Sequence, residues 1–432
     1  MTTGLARASV RARPTAFAGV YSVLVLSATV VTASVSMLRT ASGMAPGPAR
    51  DELTTMGAGF TVVTCYLSIF VIAQVMALSV AQRARENAVL RAVGAAPWQI
   101  RRTIAVEALL TALPALPVGY GLGSILARVW RAGMTAHGLL PGGVPLRVGW
   151  APAFAAGGVL LVTSHLGGLL AAQRAACARP AEALGESAAP RRGVTPARAL
   201  RGCAALVALV GAGALTTLTV RGPREDVGEH LPLVLLAYLV AVGFAGPGLS
   251  RLGAALVALP LRSAGYGAVS ETALATVRTY AGRLSSAVTP VALVVAFTLV
   301  KLAALAATAE PSWIDLFATV LYAAFAAFAA ANTMVMLTAA RRHEVALLRA
   351  VGAGPGQVAR MLTIEALTTA VTGFGAGAVV ALAVTLPLGE AAGASLSSLG
   401  AGTWAATGAG VLALALLSTL APLPGHLRRA LP

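Results

Sequence analysis

The stretch Arg83-Ala-Arg-Glu86-Asn-Ala-Val-Leu90-Arg91-Ala-Val-Gly94-Ala-Ala-Pro97-Trp-Gln99-Ile-Arg-Arg102 has a second copy in the other half of the chain. There it reads Arg341-Arg-His-Glu344-Val-Ala-Leu-Leu348-Arg349-Ala-Val-Gly352-Ala-Gly-Pro355-Gly-Gln357-Val-Ala-Arg360. The match continues without gaps to Glu107-Ala-Leu109 and Glu365-Ala-Leu367, with more than half of the positions identical. Shared composition does not produce that agreement, so the chain contains an internal duplication. Each copy lies between two apolar runs of roughly 20 residues, the length needed to cross a hydrocarbon core.

Working outward, such runs recur along the whole chain. Hydrophobic residues make up 57% of the 432 residues and charged residues only 11%, against roughly 25% in a soluble domain. A chain so composed cannot cover itself with polar surface, and its solvent is lipid. About ten spans are predicted, near 17–38, 57–80, 103–127, 150–172, 202–220, 232–259, 286–307, 316–339, 361–388 and 403–422. Pro114 and Pro117 are expected to kink the third, and Pro247 with Gly248 marks the sixth as kinked or re-entrant. The first run is longer than the 7–15 apolar residues of a signal peptide and reads as a retained span.

The formal net charge of +17 does not point to nucleic acid, because the arginines form no basic face or tail. They fall mostly in alternate gaps: Arg7, Arg11 and Arg13; then Arg83 to Arg102; Arg174 to Arg201; Arg262 to Arg283; Arg341 to Arg360; and Arg428 with Arg429. The gaps between them hold acids such as Glu225, Asp226, Glu310 and Asp315. This positive-inside bias places both termini in the cytoplasm. The third gap, with Arg128, Arg131 and Arg147, departs from the rule. No outward gap is long enough for a folded extracellular domain.

Within each copy, Glu86 to Val93 is a short run of helix formers with Leu90 and Val93 on one side. Gly94 suits a left-handed residue after the helix, and Pro97 suits the first turn of the next. The predicted element is a short surface helix, a sharp turn, and a helix entering the membrane. An interfacial anchor needs only amphipathicity. Two copies that keep the same Glu, Arg, Gly, Pro and Gln positions point instead to a docking surface.

The Leu-Arg-Ala-Val-Gly-Ala segment, followed by Gln and then Glu-Ala-Leu, resembles the hallmark of FtsX-like permeases, the membrane subunits of a class of ABC transporters. That resemblance implies an all-α membrane protein: two four-span FtsX-like blocks, residues 1–201 and 262–432, joined by a linking pair of spans at 202–261. It makes 83–101 and 341–359 coupling helices, with Glu86, Leu90, Arg91, Gly94, Glu344, Leu348, Arg349 and Gly352 contacting a separate ABC ATPase, present in two copies. The chain would sit in the plasma membrane, bind no cofactor of its own, and leave ATP to the partner. An extracellular domain that relatives usually carry has no room here.

The residues agree with that division of labour. No Gly-x-x-x-x-Gly-Lys-Ser/Thr loop is present, and the one lysine, Lys301, ends an apolar run. The runs Gly119-Tyr-Gly121-Leu-Gly123 and Gly373-Phe-Gly375-Ala-Gly377 lie inside spans and read as helix-packing surfaces. Cys65, Cys177 and Cys203 are too few and scattered for a metal site, and the two in or beside apolar runs are expected to be buried. His165 reads as a packing residue. Ser270 is a candidate cap for a short interfacial helix. Glu107 and Glu365 stand just inside equivalent spans, either as an ion-coupling site or paired with an arginine of the coupling segment. Three functions are compatible with the sequence: an ATPase-coupled exporter or extractor of an amphiphile or peptide, an ion-coupled transporter, or a non-transporting regulator.

Overall fold

Uncharged runs placed in lipid must satisfy every backbone group internally, and a continuous helix does so. In the computed structural model, the described residues are 14–177, 196–222, 227–263, 275, 281–307, 312–392 and 396–421. Among them are twelve α-helices, one 3-10 turn and no strand. The helices are α1 (Pro14–Ser42), α2 (Pro48–Gln82), α3 (Ala84–Ala92), α4 (Pro97–Ala136), α5 (Trp150–Cys177) and α6 (Pro196–Arg221). They continue with α7 (Val227–Ser263), α8 (Ala281–Ala307), α9 (Trp313–Ala340), α10 (Arg342–Ala350), α11 (Pro355–Ala392) and α12 (Ala401–Leu420).

All but α3 and α10 are long and apolar enough to cross a membrane, which gives ten spans. Helix α4 runs unbroken through Pro114 and Pro117. The sixth span is likewise one helix, containing Pro232, Pro247 and Pro260, and not a re-entrant segment. The N-terminal arginines, most of the segment after Cys177, and the helix expected to start at Ser270 lie outside the described residues.

The chain divides into two compact units, Met1–Ala189 and Pro190–Pro432. In the first, α1 is the enclosed helix and packs against α2, α4 and α5. Val23, Leu24, Ala28, Val31 and Ala33 are almost wholly buried along it. Several of its buried hydroxyls are returned to its own backbone: Ser34 donates to the Val30 carbonyl at 2.8 Å, Ser36 to Thr32 at 2.7 Å and Thr40 to Ser36 at 2.7 Å. Small satisfied side chains of this kind allow close helix approach in lipid, where water supplies no driving force between spans. Ser34 and Thr64 also pair across α1 and α2 at 3.0 Å, and Phe60 meets Trp130 with ring centroids 4.3 Å apart.

The second unit repeats the plan, with α8 enclosed by α9, α11 and α12. The pair α6 and α7, set apart by the sequence as a linker, belongs to this unit: α7 packs on α8 and α11, and α6 lies on α7. Helix α6 therefore has one packed side. This corrects the expectation of buried cysteines, because Cys203 is exposed and Cys65 half-buried.

Candidate coupling site

Helices α3 and α10 each have nine residues, far below the roughly 12–15 an isolated helix needs. Their ends hold them. Glu86 and Glu344 stand in the first turns, Arg91 and Arg349 in the last, where each charge complements the helix dipole by about 0.3–1 kcal/mol. Past α3 the chain turns through Gly94 at φ 100°, and past α10 through Gly352 at φ 99°. The Ala95 amide donates to the Leu90 carbonyl at 2.9 Å and Gly94 to Arg91 at 3.0 Å. The second copy has the same bonds, Ala353 to Leu348 at 2.9 Å and Gly352 to Arg349 at 3.0 Å. These are Schellman closures, which need a left-handed residue. Gly94→Ala or Gly352→Ala is therefore expected to cost about 1–2 kcal/mol, read as a lowered thermal midpoint of the purified chain.

The next helix starts with a reciprocal bond. The Ala96 amide donates to Gln99 Oε1 at 3.0 Å, and the Gly354 amide to Gln357 Oε1 at 2.9 Å. The two glutamines are thus the caps of α4 and α11. Below the turns, Ile100 and Ile104 pack with Val80, and Val358 and Leu362 pack with Val345 and Leu420.

An ion pair closes each copy. Arg83, the junction residue between α2 and α3, donates from Nη1 to Glu107 Oε2 on α4. Arg341, between α9 and α10, donates from Nη1 to Glu365 Oε2 on α11. Both carboxylates are buried. Arg83 also lies over the Phe17 ring, 4.2 Å from its centroid, and Arg341 Nε donates to Glu344 at 2.8 Å. Burial works to lower the Arg341 pKa, but Glu365 and Glu344 outweigh it and raise the pKa above its ordinary value. Glu107 and Glu365 thus have arginine partners, and the arginine belongs to the hinge. Local pattern singles out neither Arg83 and Arg341 among the arginines of the repeat nor the glutamines as caps; the structure does.

The side away from these ties is apolar and open. Leu90 is 47% exposed and Val93 84%; at the matching places Leu348 is 38% and Val351 86% exposed. Val89 and Leu347 are exposed as well. The shared side of Leu90 and Val93 thus faces outward in both copies, carried on a helix tied to the spans before and after it.

A family model described as FtsX-like permease C-terminal matches residues 58–179 and again 316–429, one match per unit and together more than half of the chain. No curated protein matches the chain. Permeases of this family generally work with an ABC ATPase. The chain therefore belongs to the FtsX-like permease family, as a multi-pass membrane protein of the ABC transporter permease type with two copies of the family's domain.

Proposed function

We propose that this permease takes its work from a separate ABC ATPase through α3 and α10. One helix engages each of two ATPase copies, so that nucleotide-driven closure of the pair displaces both. ATP is bound and hydrolysed in the partner. The motion passes into α4 and α11 and acts on an amphiphile or peptide at the outer leaflet. With ten spans among the described residues, the start of α1 and the end of α12 lie on one side, which the arginine bias makes the cytoplasmic side of the plasma membrane.

One observation carries this reading. The same apolar residues, Leu90 with Val93 and Leu348 with Val351, stand exposed on helices anchored at both ends. Exposed apolar side chains on a rigid element are natural anchors for a partner's groove. The contact roles of Glu86, Arg91, Gly94, Glu344, Arg349 and Gly352 divide accordingly: they support the helix ends, while the leucines and valines make the contact. An ion-coupled mechanism through Glu107 and Glu365 is less suited to carboxylates already held by hinge arginines.

The test is co-purification of tagged permease with its co-expressed ATPase. Val93→Asp combined with Val351→Asp places two carboxylates where apolar contact is needed, and each unpaired buried charge opposes binding by several kcal/mol. ATPase recovery is expected to fall at least tenfold, about 1.4 kcal/mol or more, with the permease's own thermal midpoint unchanged. Undiminished recovery removes α3 and α10 as the docking elements. Native mass spectrometry of the intact complex should give two ATPase copies per permease.

A further inference from the structure

At the end of the first unit opposite α3, the chain breaks the charge pattern it keeps elsewhere. Arg39, Arg50, Arg128, Arg131 and Arg147 all lie there, against Asp51 and Glu52. The corresponding gaps of the second copy, after α8 and after α11, hold none: no Arg or Lys occurs between Lys301 and Arg341, or between Arg360 and Arg428. The duplication carries the same helices in both halves, so helix packing does not account for a basic end in only one. Arginine is selected against on the outer side of a membrane, so its retention calls for a task.

Two of these arginines share a cavity. An open cavity of about 710 Å³ is lined by Arg39, Arg147, Gly149, Trp150 and Phe154, among others. Its wall is built to hold position. The Arg147 amide donates to Thr40 Oγ1 at 3.0 Å and its Nη2 to the Gly43 carbonyl at 3.3 Å. Arg147 Cζ lies only 2.4 Å from where a Cβ on Gly43 would stand, so the guanidinium is packed directly against the backbone of Gly43. The Tyr120 hydroxyl reaches the Gly149 carbonyl at 3.4 Å, and Arg39 Nη1 lies 3.5 Å from the place of a Gly149 Cβ. Among the described residues, neither guanidinium has a carboxylate within ion-pair distance. Beside them Trp150 and Phe154, four residues apart on one face of α5, are 81% and 75% exposed.

We propose that this cavity binds an anionic amphiphile, with its phosphate headgroup on Arg39 and Arg147 and its chain along Trp150 and Phe154. Two guanidiniums present several N–H donors in a planar arrangement that suits a phosphate. An indole and a phenyl ring at the depth of the headgroups supply the apolar track. The site lies within the first unit and would load or hold cargo on the outer side. In that role it rests on the transporter reading and narrows its substrate to a phosphate-bearing lipid or lipid-linked compound.

The probe is phosphatidylglycerol, compared with phosphatidylcholine, on the full-length permease in detergent without ATPase or nucleotide. Native mass spectrometry should show retained phosphatidylglycerol in preference to phosphatidylcholine. Arg39→Gln with Arg147→Gln should weaken retention by about 30-fold, from the loss of two cations at a lipid surface, while Arg147→Lys, which keeps the charge and loses the planar fork, falls between the two. A second readout leaves both arginines in place: phosphatidylglycerol with brominated chains should quench the wild type more strongly than Trp150→Phe. Equal retention of the two lipids, or undiminished retention in the double glutamine variant, overturns the proposal. Displacement by millimolar inorganic phosphate with no quenching at Trp150 also overturns it, and assigns the arginines to a free anion. Because no ATPase is present, failure here leaves the docking role of α3 and α10 standing. Failure of co-purification likewise leaves this measurement intact.

Discussion

Arg83→Ala should destabilise the first unit by about 3–5 kcal/mol, and Arg341→Ala the second by a similar amount. The reason is the carboxylate left behind. Glu107 is 6% exposed and Glu365 4%, and each depends on its arginine for charge compensation. Truncating the arginine strands a buried charge, which costs far more than the pair contributes when whole. The companion variants follow from the same physics: replacing both partners by apolar residues, Arg83→Met with Glu107→Leu, should recover most of the lost stability. Thermal unfolding of the wild type, Arg83→Met, Glu107→Leu and the double variant, as a double-mutant cycle, checks this directly. A single-arginine variant as stable as the wild type would show that the pair holds nothing.

The apolar double variant also separates structure from coupling. Arg83 sits where α2 ends and α3 begins, and Glu107 is on α4. The pair therefore ties the span before the surface helix to the span after it. A stable Arg83→Met, Glu107→Leu chain that binds the ATPase but transmits no work would mark the pair as a positioning device. Its expected signature is normal ATPase recovery with substrate-stimulated hydrolysis lost.

The second large effect is expected at the helix crossings. A Cβ on Gly123 would stand 2.6 Å from the Thr29 carbonyl oxygen and from Thr32 Cβ. On Gly377 it would stand 2.6 Å from Val295 Cβ and 2.7 Å from the Ala292 carbonyl oxygen. Backbone atoms of α1 and α8 cannot step aside as a side-chain tip can. Gly123→Ala and Gly377→Ala should each lower stability by about 1–3 kcal/mol through overpacking, and leucine at either place should prevent folding of its unit. The neighbouring glycines provide the control, since a Cβ on Gly121 or Gly375 meets nothing within 4 Å. Gly121→Ala and Gly375→Ala should be neutral or stabilising by up to about 1 kcal/mol, from helix propensity alone. Equal effects at Gly121 and Gly123, measured by thermal unfolding in detergent, would remove the close crossing from the account.

Much of the molecule was legible before any coordinates. Length and apolarity are local properties, so each run of about 20 residues announced its span. The repeat likewise announced two equivalent surface helices ended by Gly94 and Gly352, because a left-handed turn leaves its mark on a single residue. Tertiary structure alone decided which way those helices face. Periodicity groups Leu90 with Val93 but is silent on whether their side meets the core or the outside. It also decided that Gly119 and Gly123 touch α1 while Gly121, in the same run, does not, since the rotation of a helix about its axis depends on its neighbours. Sequence left Glu107 either as an ion-coupling site or as the partner of an arginine of the coupling segment, and packing chose Arg83. Arg39 and Arg147 come together across most of a unit only because α1 ends and α5 begins at the same face. Local pattern determines which elements form; contact between distant elements determines what they can hold.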